Sequence, residues 1–340
     1  MKRCAPLATA VLLAVASQGV FASNNVAVLN QNGTFNNATA DQSDATVTFN
    51  FIGQTQVGDA NTALATQLNS NTLSTINQLQ TGTANDSTVT QNGSDTVAAV
   101  ISQNGINNIG VINQVLSNTS AATINQFDVL NLATINQNNT TTVAAVIGQN
   151  GINNTGVINQ VLSNTSAATI NQFDFSNFAT INQNSTTDVG AVITQMGNAN
   201  IATMVQSNST TSSAVTSQEG NTNVAQVSQF ASDTNISTLS QLGTINEASV
   251  TQTGNNNTSA ISQQNVSNDI AHSQSGSFNL ATTNQFGVDN TGATVQGGMN
   301  GIATALQLGN TNSFTISQAN DFQTATVSQI GDSNMAIVVQ

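Results

Sequence analysis

The chain is 340 residues long, and its only Lys and Arg, Lys2 and Arg3, stand at the very start. Residues 23–340 keep all 15 Asp and Glu and contain no Lys, Arg, Cys, Pro, Trp or Tyr. Such a stretch cannot neutralise phosphates, which excludes nucleic-acid binding and disfavours anionic membrane surfaces; without cysteine it has no disulfides to hold it together.

The first predicted element is a leader. Lys2 and Arg3 precede an apolar run, Leu7 to Val15, and Val20-Phe21-Ala22 offers a small-residue cleavage site before Ser23. Residues 1–22 are expected to be a secretory signal. The apolar run is too short for a membrane anchor, and Cys4 precedes it, which argues against a lipoprotein. Residues 23–30 form a short N-terminal segment, and 31–340 form one repeat array.

The array is defined by glutamine. Counting back from Gln340, a Gln recurs every eleven residues to Gln241, and the spacing then alternates between twelve and eleven back to Gln91. Two residues before the column Gln stands an apolar residue, as in Ile124, Ile147 and Ile170; four before it a small one, as in Ala122, Ala145 and Ala168; six before it often Asn. Intervening positions are mostly Ser, Thr, Asn and Val. This period-two pattern predicts strands with one buried face, and Gly two residues after many column glutamines predicts a turn. Two units make a strand–turn–strand rung of 22–23 residues. The fold class is therefore all-β: a β-solenoid of about thirteen rungs, two facing parallel sheets, amyloid-like, about 65 Å long at ~4.8 Å per rung. Two slips of two residues are expected, at Gln54/Gln56 and Gln78/Gln80. Gln103–Asp128 and Gln149–Asp174 differ only at Ile109 against Thr155, an offset of 46 residues, or two rungs.

Like residues stack on like in such an array, so buried Gln and Asn amides can form ladders along its axis. The core ladder is expected at Gln195, Asn200, Gln206, Gln218, Asn223, Gln229, Gln241, Asn246 and Gln252. No capping element is visible beside Gln31 or Gln340, so each end is expected to template another copy.

The half-repeat Gln-x-Gly-x-x-Asn-x-Ala-x-apolar-x-Gln resembles the curlin repeat of bacterial curli fibres. Matches include Gln195, Gly197, Asn200, Ala202, Met204 and Gln206, and Gln329, Gly331, Asn334, Ala336, Val338 and Gln340. The resemblance implies a major-type subunit of a secreted functional amyloid of the biofilm matrix, serving adhesion, aggregation and surface colonisation. It also implies a surface nucleator subunit and an outer-membrane export channel as partners, beside the chain itself. Carried over residue by residue, it places self-assembly at Gln31, Asn36 and Gln42 and at Gln318, Gln329, Asn334 and Gln340. The array is longer than the family's familiar five-repeat subunits.

Other chemistry is not expected. His272 is a lone histidine at a core-facing position, stacked between Val250 and Thr294, and a single imidazole is no metal site. Glu219 and Glu247 lack partners for acid–base work. No catalytic residue, cofactor, metal or membrane insertion is assigned, and enzymatic activity is not expected. An outward column, Val100, Thr123, Val146, Thr169, Val192, Val215 and Thr238, reads as ordinary strand propensity, or else as a lateral contact between fibrils or an ice-binding face; the alternative of another class is a monomeric β-solenoid surface adhesin or ice-binding module. The acidic residues, about one per rung, are read as gatekeepers that slow association during export.

Overall fold

The structure is a computed structural model that describes residues 24–340 except Ala45 and Ser70, so the leader expected at 1–22 lies outside the described residues. It contains twenty-eight strands, from β1 (Val26–Asn32) and β2 (Asn37–Asp41) to β27 (Thr324–Ile330) and β28 (Met335–Val339). Odd strands form one parallel sheet of 14 and even strands another. Each strand pairs with its equivalent one rung above and below, as β9 (Ala121–Val129) does with β7 (Ala98–Ile106) and β11 (Ala144–Ile152). The solenoid thus has fourteen rungs, not about thirteen, because the span Gln91–Gln241 holds one more column glutamine than the sequence count allowed.

The strands form where alternation separates a dry face from a wet one. In β9 the buried residues are Ala122, Ile124 and Gln126, and the same trio recurs in β11 as Ala145, Ile147 and Gln149. Ile101, Ile124, Ile147, Ile170 and Ile193 stack in register, each fully buried. Each contributes roughly 2–3 kcal/mol of hydrophobic stabilisation. A one-residue slip would turn the whole set to solvent, so the pattern fixes register.

Three expectations need correction. The strands do not all end near the column Gln: most odd strands run nine residues, on through the following Gly, as in β15 (Gly190–Asn198). Gly197 there has φ +102°, and a Cβ on it would strike the carbonyl oxygen of Gly220 in the next rung. There is also no slip at Gln54/Gln56 or Gln78/Gln80. Gln56 and Gln80 continue the column, while Gln54 and Gln78 are buried at the position that isoleucine fills in later rungs. The third correction concerns the bends, which are of two kinds.

At edge one, where each odd strand passes to the next even strand, successive column glutamines are always eleven apart, from Gln31/Gln42 to Gln329/Gln340. Two residues of each turn there have positive φ, for example Gly197 at 102° and Ala199 at 54°, and an Asn follows the second. Edge two, from even strand to next odd strand, spans fourteen residues at Gln42/Gln56, thirteen at Gln67/Gln80, twelve through Gln229/Gln241 and eleven thereafter. Its longer bends carry two left-handed residues, such as Asn139 and Thr142. The change from twelve to eleven is absorbed by a bulge in β18 (Val224–Asp233), where pairing with β20 (Glu247–Asn255) skips Ala231.

Candidate self-association faces

Glutamine is placed on the inner face by parity, and its length decides what it does there. In both sheets the Nε2 of each column Gln donates to the Oε1 of the next, without a break from Gln31 to Gln329 and from Gln42 to Gln340, at 2.6–3.1 Å. The second Nε2 proton crosses the core to a backbone carbonyl of the other sheet, as from Gln195 to Phe178 O at 3.0 Å and from Gln206 to Gly190 O at 3.2 Å. Gln218, Gln229, Gln241 and Gln252 repeat this bond. Each satisfied bond is worth about 1 kcal/mol net, whereas an orphaned buried amide costs about 1–3 kcal/mol.

A third column runs along edge one. The backbone N–H of each edge-one Asn donates to the Oδ1 of the Asn one rung earlier, from Asn61 on Asn36 to Asn334 on Asn312, at 2.9–3.2 Å. Asn200, Asn223 and Asn246 also donate Nδ2 to the carbonyl two residues past the next rung's column Gln, at Gly220, Gly243 and Asn265. This column therefore fastens every bend to both of its neighbours.

The columns are polar, and their directions oppose each other. Gln amides donate toward the C-terminal end, whereas edge-one Asn residues accept from it. Among the described residues Gln31 and Gln42 head their columns, and no earlier rung meets their Oε1 atoms or the Asn36 N–H. At the other end, Gln329 and Gln340 spend one Nε2 proton on Ser313 O (2.9 Å) and Thr324 O (3.2 Å) and keep the other; among the described residues no later Asn donates to the Asn334 Oδ1. The half-rung stagger of the sheets leaves β1 exposed at one end and β28 at the other, while the inner residues of β27 stay buried.

Six of the seven expected assembly residues belong to these terminal rungs: Gln31, Asn36 and Gln42 in the first, Gln329, Asn334 and Gln340 in the last. Gln318 does not. It lies one rung in, 1% exposed, bonded to Gln296 and Gln340. Asn25 is not among the expected assembly residues, although it stands six residues before Gln31, where the sequence pattern puts Asn. It heads edge two, and its Oδ1 accepts from the Asn50 N–H at 3.0 Å.

Asn50 and Asn71 continue this column, their Oδ1 atoms accepting from the Ser74 and Ser94 N–H at 2.6 Å, and hydroxyls close edge two in the rungs that follow. Thr140 Oγ1 meets Ser117 Oγ at 3.0 Å and Ser120 Oγ at 3.3 Å, and Thr186 repeats this with Ser163 and Ser166. The unit repeats every two rungs, which is the length of the 46-residue duplication. Sequence pattern alone hides these contacts because Ser, Thr and Val alternate there without one constant residue. Asn235, Asn257 and Asn279 then replace the hydroxyls, followed by Gly301 and Gln323 at the same place.

His272 stacks between Val250 and Thr294 as its position implied. It also bridges the core, with Nδ1 2.8 Å from Ser259 Oγ and Nε2 2.8 Å from Thr283 Oγ1. Burial pushes its pKa down to about 3, so it is neutral over the ordinary pH range. Among the described residues no three His, Cys, Asp or Glu gather as a metal site. No protein-family model matches the chain, and no curated protein is similar to it in sequence.

Proposed function

We propose that the protein is a structural subunit that polymerises end to end, the C-terminal face of one copy seating on the N-terminal face of the next, into secreted curli-like fibres. The carrying observation is that the last and first rungs match column by column. Ala325, Val327, Gln329 and Gly331 align with Ala27, Leu29, Gln31 and Gly33; Asn334, Ala336 and Gln340 align with Asn36, Ala38 and Gln42. Across such a junction Gln329 and Gln340 would donate to Gln31 and Gln42, and the Asn36 N–H to Asn334 Oδ1. Every bond inside the solenoid has the same donor and acceptor. Joining two N-terminal faces would instead oppose acceptor to acceptor, so growth is head to tail. The cross-strand backbone groups of β1 and β28 add the usual edge pairing.

The adhesive and matrix roles, the nucleator and the export channel belong to the curlin resemblance and are part of the proposal. A Thioflavin T time course on the purified chain freed of its leader, seeded with its own sonicated product, tests it. The expected result is a lag that seeds abolish. Gln340→Glu, which replaces the free donor by an acceptor, should slow seeded elongation about tenfold or more, as loss of ~1.4 kcal/mol or more at each junction requires. A chain that stays monomeric for weeks at high concentration would overturn the proposal. In that case the in-register outward column from Val100 to Thr238 would make a thermal-hysteresis assay the next measurement.

A further inference from the structure

Beside the Asn column, edge one carries a second regular feature. The residues that open successive even strands stack in the order Asp86, Ile109, Leu132, Thr155, Phe178, Ile201, Val224, Glu247, Asp269. Between the carboxylates the column is apolar except at Thr155. Ile109, Leu132, Phe178 and Ile201 are 38–44% exposed. On the odd-strand side of the same bend, Ile152 and Phe175 are stacked neighbours and 42% and 49% exposed.

At the bend itself stands Leu130, with φ 60° and 51% exposed. A left-handed backbone costs a leucine roughly 1–2 kcal/mol, and at half exposure little burial within the chain offsets it. Neighbouring rungs place Asn107 and Asn153 at the same bend, with φ 56° and 60°, where asparagine is well suited. The even-strand column breaks at Thr155, but Ile152 across the same bend and Phe175 stacked on it carry apolar surface past that rung, whereas on edge two the exposed Leu116 and Leu162 are separated by Asn139.

We propose that this ridge is a lateral contact between filaments, each laying its edge one against the edge one of another copy of this chain. The inference rests on the end-to-end reading. The size of the ridge selects this occupant. Six rungs at ~4.8 Å make a strip about 29 Å long, roughly 350 Å² in projection against the ~800 Å² per partner of a stable interface. Two single copies would not stay together on it. A filament presents the strip once per copy, about every 67 Å at ~4.8 Å per rung, and parallel filaments gather many such contacts at once, so that weak contacts sum to avidity. The ridge is silent in the monomer and engages only after polymerisation. Asp86 at one end and Glu247 with Asp269 at the other bound the strip and limit how far two ridges can slide past one another.

The test is the fourfold variant Ile109→Thr, Leu132→Thr, Phe178→Thr and Ile201→Thr. Thr155 already occupies this column, so the strands accept threonine. Seeded elongation and the width of the fibres by electron microscopy are measured together, with low-speed pelleting as a bulk readout. The expected result is elongation within about twofold of the parent, single filaments in place of bundles, and a pelleted fraction reduced about fivefold or more, since avidity falls steeply when every contact weakens. Leu130→Asn, which suits the bend, should reduce bundling partway, and Phe178→Leu should preserve it. Unchanged bundle width with normal elongation would overturn the lateral contact alone, as would parent filaments that never bundle. Failure of the parent chain to elongate would overturn the end-to-end reading and the ridge with it.

Discussion

The two edges of the solenoid do the same topological job by different means. Edge one turns the chain in eleven residues at every rung and closes each turn with an Asn bonded to the rungs on both sides. Edge two varies from fourteen residues to eleven, exchanges Asn for Ser, Thr and Val, and takes up its last change of length in a bulge at Ala231. One edge therefore holds the register of the whole stack, and the other absorbs insertions. A repeat protein built on nearest-neighbour interfaces needs only one such rail, because each rung is aligned by the one before it.

Deletions should separate the edges most sharply. Removing Ala199 takes out a left-handed bend residue and shortens the Gln195–Gln206 span from eleven residues to ten, a spacing that no edge-one turn uses, so the Asn200 column and the strand after it lose their register. A loss of more than about 4 kcal/mol, the range reserved for broken cores and networks, is expected in urea unfolding. Removing Thr211 shortens Gln206–Gln218 from twelve residues to eleven, the spacing edge two already uses from Gln252 onward. Its cost should stay near ~1–2 kcal/mol. Equal losses would show that edge one is no rail.

A smaller effect comes from single side chains. Asn200→Ala takes the acceptor from the Asn223 N–H and the donor from the Gly220 carbonyl, both bonded at 2.8–3.0 Å. Leaving these groups unmatched should cost about 2–4 kcal/mol. Ser166→Ala on edge two removes the contact with Thr186 at 3.0 Å, but Val143 and Val189 hold the equivalent place in the adjacent rungs, buried without a hydroxyl. A change within about 1 kcal/mol is expected. Chemical unfolding midpoints of the two variants check the contrast.

How much of this was legible in the sequence follows from what each column requires. The glutamines and edge-one asparagines are constant because no other side chain has both the amide and the reach, so their period could be counted. The direction of the ladders could not, since either amide orientation satisfies the same spacing. Gln54 and Gln78 misled because an amide stands where isoleucine is usual; they bond to each other at 2.6 Å, and Gln54 Oε1 is left without a partner. Edge two escaped because a hydroxyl and a valine methyl fill the same space. The apolar ridge escaped because its residues fall on either side of a bend, where strand parity carries no message.

That unpartnered oxygen offers a way to sharpen the role of the strands between the edges. Replacing Gln54 and Gln78 together by Ile continues the column of Ile101 and Ile124 and removes a buried acceptor with no donor. The double variant should lie within about 1 kcal/mol of the parent: the orphaned acceptor goes, and so do the Nε2 bonds from Gln54 to Thr39 O and Ala63 O and from Gln78 to Leu64 O and Ser87 O. Gln56→Ile, by contrast, interrupts a ladder between Gln31 and Gln80 and should destabilise. Thermal unfolding of the two variants decides whether the ladder or mere burial holds this position.

The smallest expected effect separates the edges by pH. On edge one, burial raises the carboxyl of Asp86, and burial with the nearby charge of Glu247 raises that of Asp269. A carboxyl whose folded value is raised binds its proton more readily folded than unfolded, so its contribution to stability grows as pH falls through the raised value and is lost as pH rises. On edge two, the Thr46 hydroxyl and N–H, with the Asn69 N–H, lower Asp44. Its contribution is present above the ordinary carboxylate range and lost as pH falls through the lowered value. Asp269→Asn should therefore raise the melting temperature at pH 8 and leave it nearly unchanged at pH 3, whereas Asp44→Asn should lower it at pH 8 only. Partial protonation should make fibre formation faster at pH 4 than at pH 8, because fewer carboxylates of approaching copies then repel one another. Identical lag times at the two pH values would show that charge does not restrain assembly, and a pH-independent Asp269→Asn would show that the ridge ends are as well solvated as the rest of the surface.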